Sequence, residues 1–182
     1  MTEIADRYRT VAATFTDRVR GVAPDGWSEP TPCTEWTVRD LVAHVVATHR
    51  RVMATLEGAD APEVDTDGDL PGQWLAATAA VAEALDDETR AATTIGGMFG
   101  EQPFEMLVSR LLCADTLVHT WDLARATGQD EALDAGAVDK ATAFLSSLDE
   151  AIRRPGGFGP KIASAPDADA QTRFLHFCGR AA

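Results

Sequence analysis

Apolar residues in this chain recur at three- and four-residue steps, in segments each long enough to be a helix and each closed by glycine or proline. That rhythm admits an all-α architecture and little else. In the first segment Ile4, Tyr8, Val11, Phe15, Val19 and Val22 share a stripe, while Arg7, Arg9, Asp17, Arg18 and Arg20 lie largely off it. This spacing predicts an amphipathic helix, which Gly21, Pro24, Gly26, Pro30 and Pro32 interrupt. Thr37, followed by Asp40 three residues later, is an acidic form of the capping box, so a second helix is expected from about Thr37. It carries Leu41, His44, Val45, Thr48 and Val52 inward and stops at Gly58. An acidic connection (Asp60, Pro62, Glu63, Asp65, Asp67, Gly68, Asp69, Pro71) leads to a third helix over roughly 70–90, with Trp74, Ala77, Val81, Ala84 and Leu85 inside.

A glycine-rich turn at Gly96, Gly97, Gly100 and Pro103 follows; short strands near Thr93 to Ile95 are compatible with the residues but unsupported by any pattern. The fourth helix, about 104–127, places Leu107, Leu111, Asp115, Val118, His119 and Asp122 on one face and ends at Gly128. A fifth is expected from near Asp134 through Val138, Ala141, Phe144, Leu145 and Leu148 to Pro155. A turn at Gly156, Gly157, Gly159 and Pro160 and a short apolar end at Phe174, Leu175 and Phe177 complete the chain. Four main helices of ~20 residues, each ~30 Å long, suit a four-helix bundle. The long connection after the second can cross the bundle and keep helices 2 and 3 parallel. At 182 residues, 1–182 is expected to form one domain.

Composition narrows the function classes. A formal charge of −13 and a pI near 4.6 repel polyanions, which disfavours nucleic acid and anionic membranes as partners. No apolar run approaches the ~18 residues of a membrane span, and the first residues lack a signal-peptide core. Cys33, Cys113 and Cys178 are odd in number and widely spaced, so neither a disulfide framework nor a four-cysteine zinc site is expected, and a reducing cytoplasm is the natural compartment. The phosphate-binding, serine-hydrolase and H-E-x-x-H motifs are all absent.

What remains is a set of polar residues where a bundle ordinarily puts leucine. Asp115 and His119 stand four apart, about 6 Å between Cβ atoms, on the inward face of helix 4. His44 occupies the inward stripe of helix 2 and can meet them across the core. A buried carboxylate is costly unless paired or bound to a cation, and Leu107, Leu111 and Val118 supply neither. Two imidazoles and a carboxylate suit Zn, Ni or non-haem Fe with a coordination position left open. The plainer readings are a hydrogen-bonded Asp–His couple and a satisfied core histidine. Asp40 either caps helix 2 or holds His44, the cap being favoured; Asp122 either holds His119 or pairs with Arg125. His49, about 140° round the helix from His44, is expected on the surface, and His176 in the terminal packing. Cys33 is expected as a small, partly buried side chain, since a nucleophilic role needs a depressed pKa that no sequence neighbour ensures. Cys113 is expected to pack, while Trp36 and Trp121 either wall a pocket or belong to the core.

The run from Trp27 to Leu41, with Pro30, Thr31, Pro32, Cys33, Trp36, Thr37, Val38, Arg39 and Asp40, followed by His44, resembles the opening of helix 2 in the mycothiol-dependent maleylpyruvate isomerase-like group of actinobacteria. His119, Trp121, Asp122, Leu123, Ala124, Arg125, Ala126, Thr127 and Gly128 resemble that group's second signature, and the likeness extends to Gly179 and Arg180. The resemblance implies a DinB-like bundle of up-down-down-up order with additional C-terminal helices. It also implies a divalent metal held by a histidine of helix 2 and an acid plus histidine of helix 4. His44 and His119 match the histidines; Asp115 takes the acidic position, where the isomerase carries Glu, one methylene longer. No counterpart of the group's larger C-terminal thiol-binding domain is expected in a chain of this length. The activity implied is a metal-dependent transferase or isomerase in which a thiol such as mycothiol attacks a small electrophile; the rival is a non-catalytic, stress-associated metal-binding bundle. A homodimer is expected only by analogy with related bundles.

Overall fold

The computed structural model describes residues 2–33, 35–96, 99–153 and 157–182. Helix α1 (Glu3–Arg20) begins where the Thr2 hydroxyl accepts from the Ala5 amide, and it buries Tyr8, Val11, Phe15 and Val19. Helix α2 (Val38–Glu57) opens on the capping box expected of Thr37 and Asp40 and ends at Gly58, whose φ of 63° is the left-handed conformation that closes a helix. Helix α3 (Leu70–Asp86) is capped by Asp69, with Pro71 in its first turn, where a missing amide hydrogen costs nothing. It is shorter than the segment expected over 70–90. Asp87 breaks the run and caps a separate short helix, α4 (Glu88–Ala92).

Strands β1 (Thr94–Ile95) and β2 (Gln102–Pro103) then form a small antiparallel ladder, Thr94 opposite Pro103 and Ile95 opposite Gln102. Of the turn expected between them, Gly97 lies outside the described residues, as do Pro155 and Gly156 later in the chain. The fourth long helix is composite: α5 (Phe104–Leu107), a π-helical turn (Val108–Leu112) and α6 (Cys113–Thr127), closed by Gly128 at φ 66°. The π turn shifts the buried stripe. Val108 and Leu112 are buried in place of Leu111, which the simple 3.6 period had put inside. Helices α7 (Ala135–Ser146) and α8 (Ala170–Phe177) complete the fold; α7 ends well before Pro155.

Cross-contacts set the directions. Arg7 Nη2 donates to Ser109 Oγ (2.8 Å) and Arg18 Nε to the Asp130 carbonyl (2.7 Å), so α1 runs parallel to α6. Arg9 meets Asp86 at 2.5 Å while Trp74 Nε1 donates to Thr16 Oγ1 at 2.8 Å, which makes α1 and α3 antiparallel. His49 packs on Trp74 (4.8 Å between centroids) and Arg90 pairs with Glu57 (3.3 Å), so α2 and α3 are parallel. The connection between them retraces α2: Arg50 donates to the Glu63 carbonyl, then Arg39 to that of Thr66 at 2.6 Å. This is the up-down-down-up order of a DinB-like bundle.

One apolar cluster joins α1, α2, α3 and α5 around Phe15, Leu41, Trp74 and Phe104. A second lays α7 and α8 on α6 through Leu117, Val118, Trp121, Val138, Phe174 and Leu175. His49 belongs to the first, contrary to its expected surface position. It is 0% exposed, packed between Tyr8 and Trp74 and edge-to-face with the latter, with Nδ1–H donating to the Val45 carbonyl at 2.9 Å. The 140° rotation from His44 turns it toward α1 and α3, because α2 is flanked by neighbours on more than one side. Burial pushes its pKa down to about 4, so it sits in the core as a neutral imidazole.

Candidate metal centre

His44 from α2 and Asp115 and His119 from α6 converge. His44 Nε2 lies 3.3 Å and His119 Nε2 3.6 Å from the same oxygen, Asp115 Oδ1. The two rings sit edge to face with centroids 5.1 Å apart, and the ligand atoms of all three residues lie within 4.8 Å of one another. Donors about 2.0–2.1 Å from a tetrahedral zinc stand roughly 3.3 Å from each other, so both measured separations suit a common ion. Asp115 Oδ2 is buried and has no hydrogen-bond partner. An orphaned carboxylate oxygen beside two imidazole nitrogens is the donor set a divalent cation completes.

The electrostatics show how strongly the site wants positive charge. Burial alone raises the pKa of Asp115, but the charge and hydrogen bond of His119, then those of His44, pull it well below the usual carboxylate range. Burial alone lowers that of His119; the Asp115 carboxylate, assisted by Asp122 and Cys33, lifts it well above the ordinary imidazole value. These are two sides of one coupling. With no ion bound, the proton on His119 is the compensating cation.

The imidazole of His119 is held from behind. Its Nδ1 lies 3.1 Å from Asp122 Oδ2, the arrangement in which an Nδ1–H donates to the carboxylate and leaves Nε2 free to ligate. Asp122 does not pair with Arg125, which instead reaches Glu131 at 3.2 Å and lies over the Trp121 ring. Its cation is Arg180, whose Nε and Nη2 donate to the two carboxylate oxygens at 3.1 and 2.8 Å. Although burial opposes ionisation, the hydrogen bonds from His119 and Arg180 bring the Asp122 pKa down to about 2. No local pattern in the sequence points to this role of Arg180, which lies 58 positions beyond its partner, farther than any spacing rule reaches.

Cys33 is half-buried, as expected, yet it is not merely packing: Sγ lies 3.1 Å from both Asp122 Oδ2 and Arg180 Nη2 and 3.8 Å from His119 Nδ1. Cys33, His119 and Asp122 therefore make a second cluster of ligand type, but one that already contains a guanidinium. Cys113 is buried, and burial pushes its thiol up to about 11. Asp40 acts as the cap: its Oδ2 accepts from the Thr37 amide and hydroxyl at 2.9 and 2.5 Å. Trp36 covers the site, 4.6 Å from the His44 ring and 5.8 Å from that of His119, whereas Trp121 is core at 2% exposure. His176 takes its expected place in the terminal packing, bonded to Ser164 at 2.9 Å. Beside His44 lies a shallow, widely open depression of about 440 Å³, bordered by Trp36, Ala43, Ala47 and Val64 with Asp40 and Glu63 among its polar residues.

This bundle, with a histidine on α2 and an Asp-x-x-x-His pair on α6, matches the family model of the mycothiol maleylpyruvate isomerase N-terminal domain over residues 8–124. The chain belongs to that family. It is also 35% identical over 143 residues to an uncharacterized protein of Mycobacterium tuberculosis strain H37Rv, Rv0738, and to its counterpart MT0763 in strain CDC 1551. Each alignment covers 78% of this chain and 78% of the relative. No solved structure gives a significant match. The family match spans α1 to most of α6, so it contains His44, Asp115, His119 and Asp122; α7, α8 and Arg180 lie beyond it. Among the described residues no helix is long and apolar enough to cross a membrane.

Proposed function

We propose that this protein is a divalent-metal-dependent enzyme, a transferase or isomerase in which a low-molecular-weight thiol of the mycothiol type attacks a small electrophile. His44, Asp115 and His119 hold the ion. The observation that carries this reading is Asp115 Oδ2, buried and unpartnered where two imidazoles already face the same carboxylate. An ion bound there supplies a Lewis acid that lets a thiol or water ionise near neutral pH. Zinc suits the nitrogen and oxygen donors, and nickel or iron shares the same preference. The family name, which couples mycothiol to an isomerase, supports the thiol as co-substrate.

The chain's own residues divide the remaining tasks. Asp122 orients His119 through Nδ1, and Trp36 shields the two imidazoles from bulk water on one side. The open depression beside His44, with Ala43, Ala47 and Val64 along it, is the side from which the electrophile approaches. Its carboxylates Asp40 and Glu63 favour a neutral substrate over a dianionic one. The test is metal analysis of purified and zinc-reconstituted protein, followed by a panel of electrophiles with and without mycothiol or a mimic. About one ion per chain and thiol-dependent turnover that His119→Ala abolishes are expected. A stoichiometric ion without turnover on any electrophile would transfer the protein to the non-catalytic class, in which the ion only ties α2 to α6.

A further inference from the structure

The guanidinium of Arg180 comes from the last residues of the chain, outside the segment that matches the family, yet it ends inside the metal centre's surroundings. Its delivery is built in. Helix α8 closes with the Gly179 amide donating to the His176 carbonyl (3.0 Å) and the Arg180 amide to that of Leu175 (2.9 Å), the paired bonds of a Schellman turn. Gly179 has φ of +78°, and a Cβ there would stand 2.9 Å from the Pro160 carbonyl oxygen, so both conformation and space call for glycine. The turn throws the Arg180 side chain back toward α6. There it is fixed by four donated bonds: two to Asp122, one to Cys33 Sγ and one to the Cys178 carbonyl at 2.9 Å. The Phe158 ring lies 5.6 Å from its Cζ.

Asp122 has no exposed side-chain surface, and a carboxylate so placed is retained only with a cation beside it. Arg180 is that cation. Because the fork occupies both oxygens, the carboxylate plane is set, and Oδ2 is presented to His119 Nδ1 at 3.1 Å. Nε2 of the same ring then points at Asp115. Resting on the assignment of His44, Asp115 and His119 as ligands, we propose that Arg180 is a positioning residue of the metal centre, acting through Asp122 to fix the His119 ring for coordination. The C-terminal turn is thus part of the metal site, although it contributes no ligand.

The test uses the full chain, stripped of metal and titrated with Zn²⁺ against a chromophoric chelator and separately with Co²⁺, whose visible bands report coordination geometry. Arg180→Ala is expected to weaken zinc binding about 10–100-fold and to alter the cobalt bands, as does Asp122→Asn. The double variant is expected to lose no more than about 2-fold beyond the weaker single one, because both substitutions break one chain of contacts. Affinity within about 2-fold of wild type with unchanged cobalt bands in Arg180→Ala, or losses that simply multiply in the double variant, would overturn the proposal. If Arg180→Ala does not fold, Arg180→Lys, which keeps the charge and loses the fork, gives the same readout. A smaller loss in the same direction supports the role, and wild-type affinity refutes it. Wild-type protein that takes up neither ion removes the ligand assignment itself; wild-type uptake with indifferent Arg180 variants removes this inference alone.

Discussion

Asp115 and Asp122 stand two turns apart on one helix, each with a carboxylate facing His119, and they are compensated in opposite ways. Asp122 is wholly buried and closed: a guanidinium covers both oxygens and an imidazole completes Oδ2. Asp115 is less buried and open: two imidazoles crowd Oδ1 while Oδ2 has no partner. A permanent internal cation makes a structural carboxylate, whereas a carboxylate oxygen left without a partner beside two imidazole nitrogens leaves room for an exchangeable ion. His119 joins the two by presenting a different nitrogen to each.

The strongest way to break this comparison is His119→Ala, which is expected to take bound metal from about one ion per chain to none while leaving the Asp122–Arg180 pair intact. Undiminished metal content by elemental analysis would show that Asp115 is closed after all. Next in size, zinc at about 1,000 times its Kd is expected to stabilise wild-type protein by about 4 kcal/mol, read as a rise in Tm, and to leave Asp115→Ala unmoved. A rise retained in Asp115→Ala would place the ion elsewhere.

His49 sharpens the contrast, since it is a third buried titratable group with no carboxylate bonded to it. Its pKa falls from 6.5 in the unfolded chain to about 4 in the fold, so the unfolded state binds more protons between those values. The contribution of His49 is full above pH 6.5 and is lost toward pH 4, about 3 kcal/mol in all. Urea unfolding of metal-free protein across that range measures it, and His49→Leu is expected to flatten the slope; an equally steep slope in the variant would assign the acid sensitivity to other groups. Smaller still, Gly179→Ala is expected to cost about 1–2 kcal/mol through the left-handed backbone alone, with a further loss of zinc affinity as the Arg180 turn shifts. Asp40→Ala closes the series: about 1 kcal/mol of stability lost with the α2 cap, and zinc affinity unchanged. A drop in affinity there would put Asp40 among the residues that hold His44.

Local rules reached far into this molecule. The cap at Thr37, the stops at Gly58 and Gly128, and the pairing of Asp115 with His119 on one helical face all follow from local pattern, and the inward stripe of α2 made His44 their candidate partner. Where a feature depends on something other than spacing, local pattern misses it. The π turn at Val108–Leu112 moved the buried stripe by one residue, because a 3.6 period cannot register an inserted residue. His49 went to the core because a helix flanked by several neighbours has more than one inward face.

The chain's own pattern of apolar and polar residues determined an all-α bundle and which side chains could meet at a cation, since one helical turn places residues four apart side by side whatever surrounds them. Only the packed structure decided which of the two carboxylates on α6 is already neutralised. That depends on a guanidinium brought from the far end of the chain by a glycine turn, a long-range contact that no local periodicity encodes.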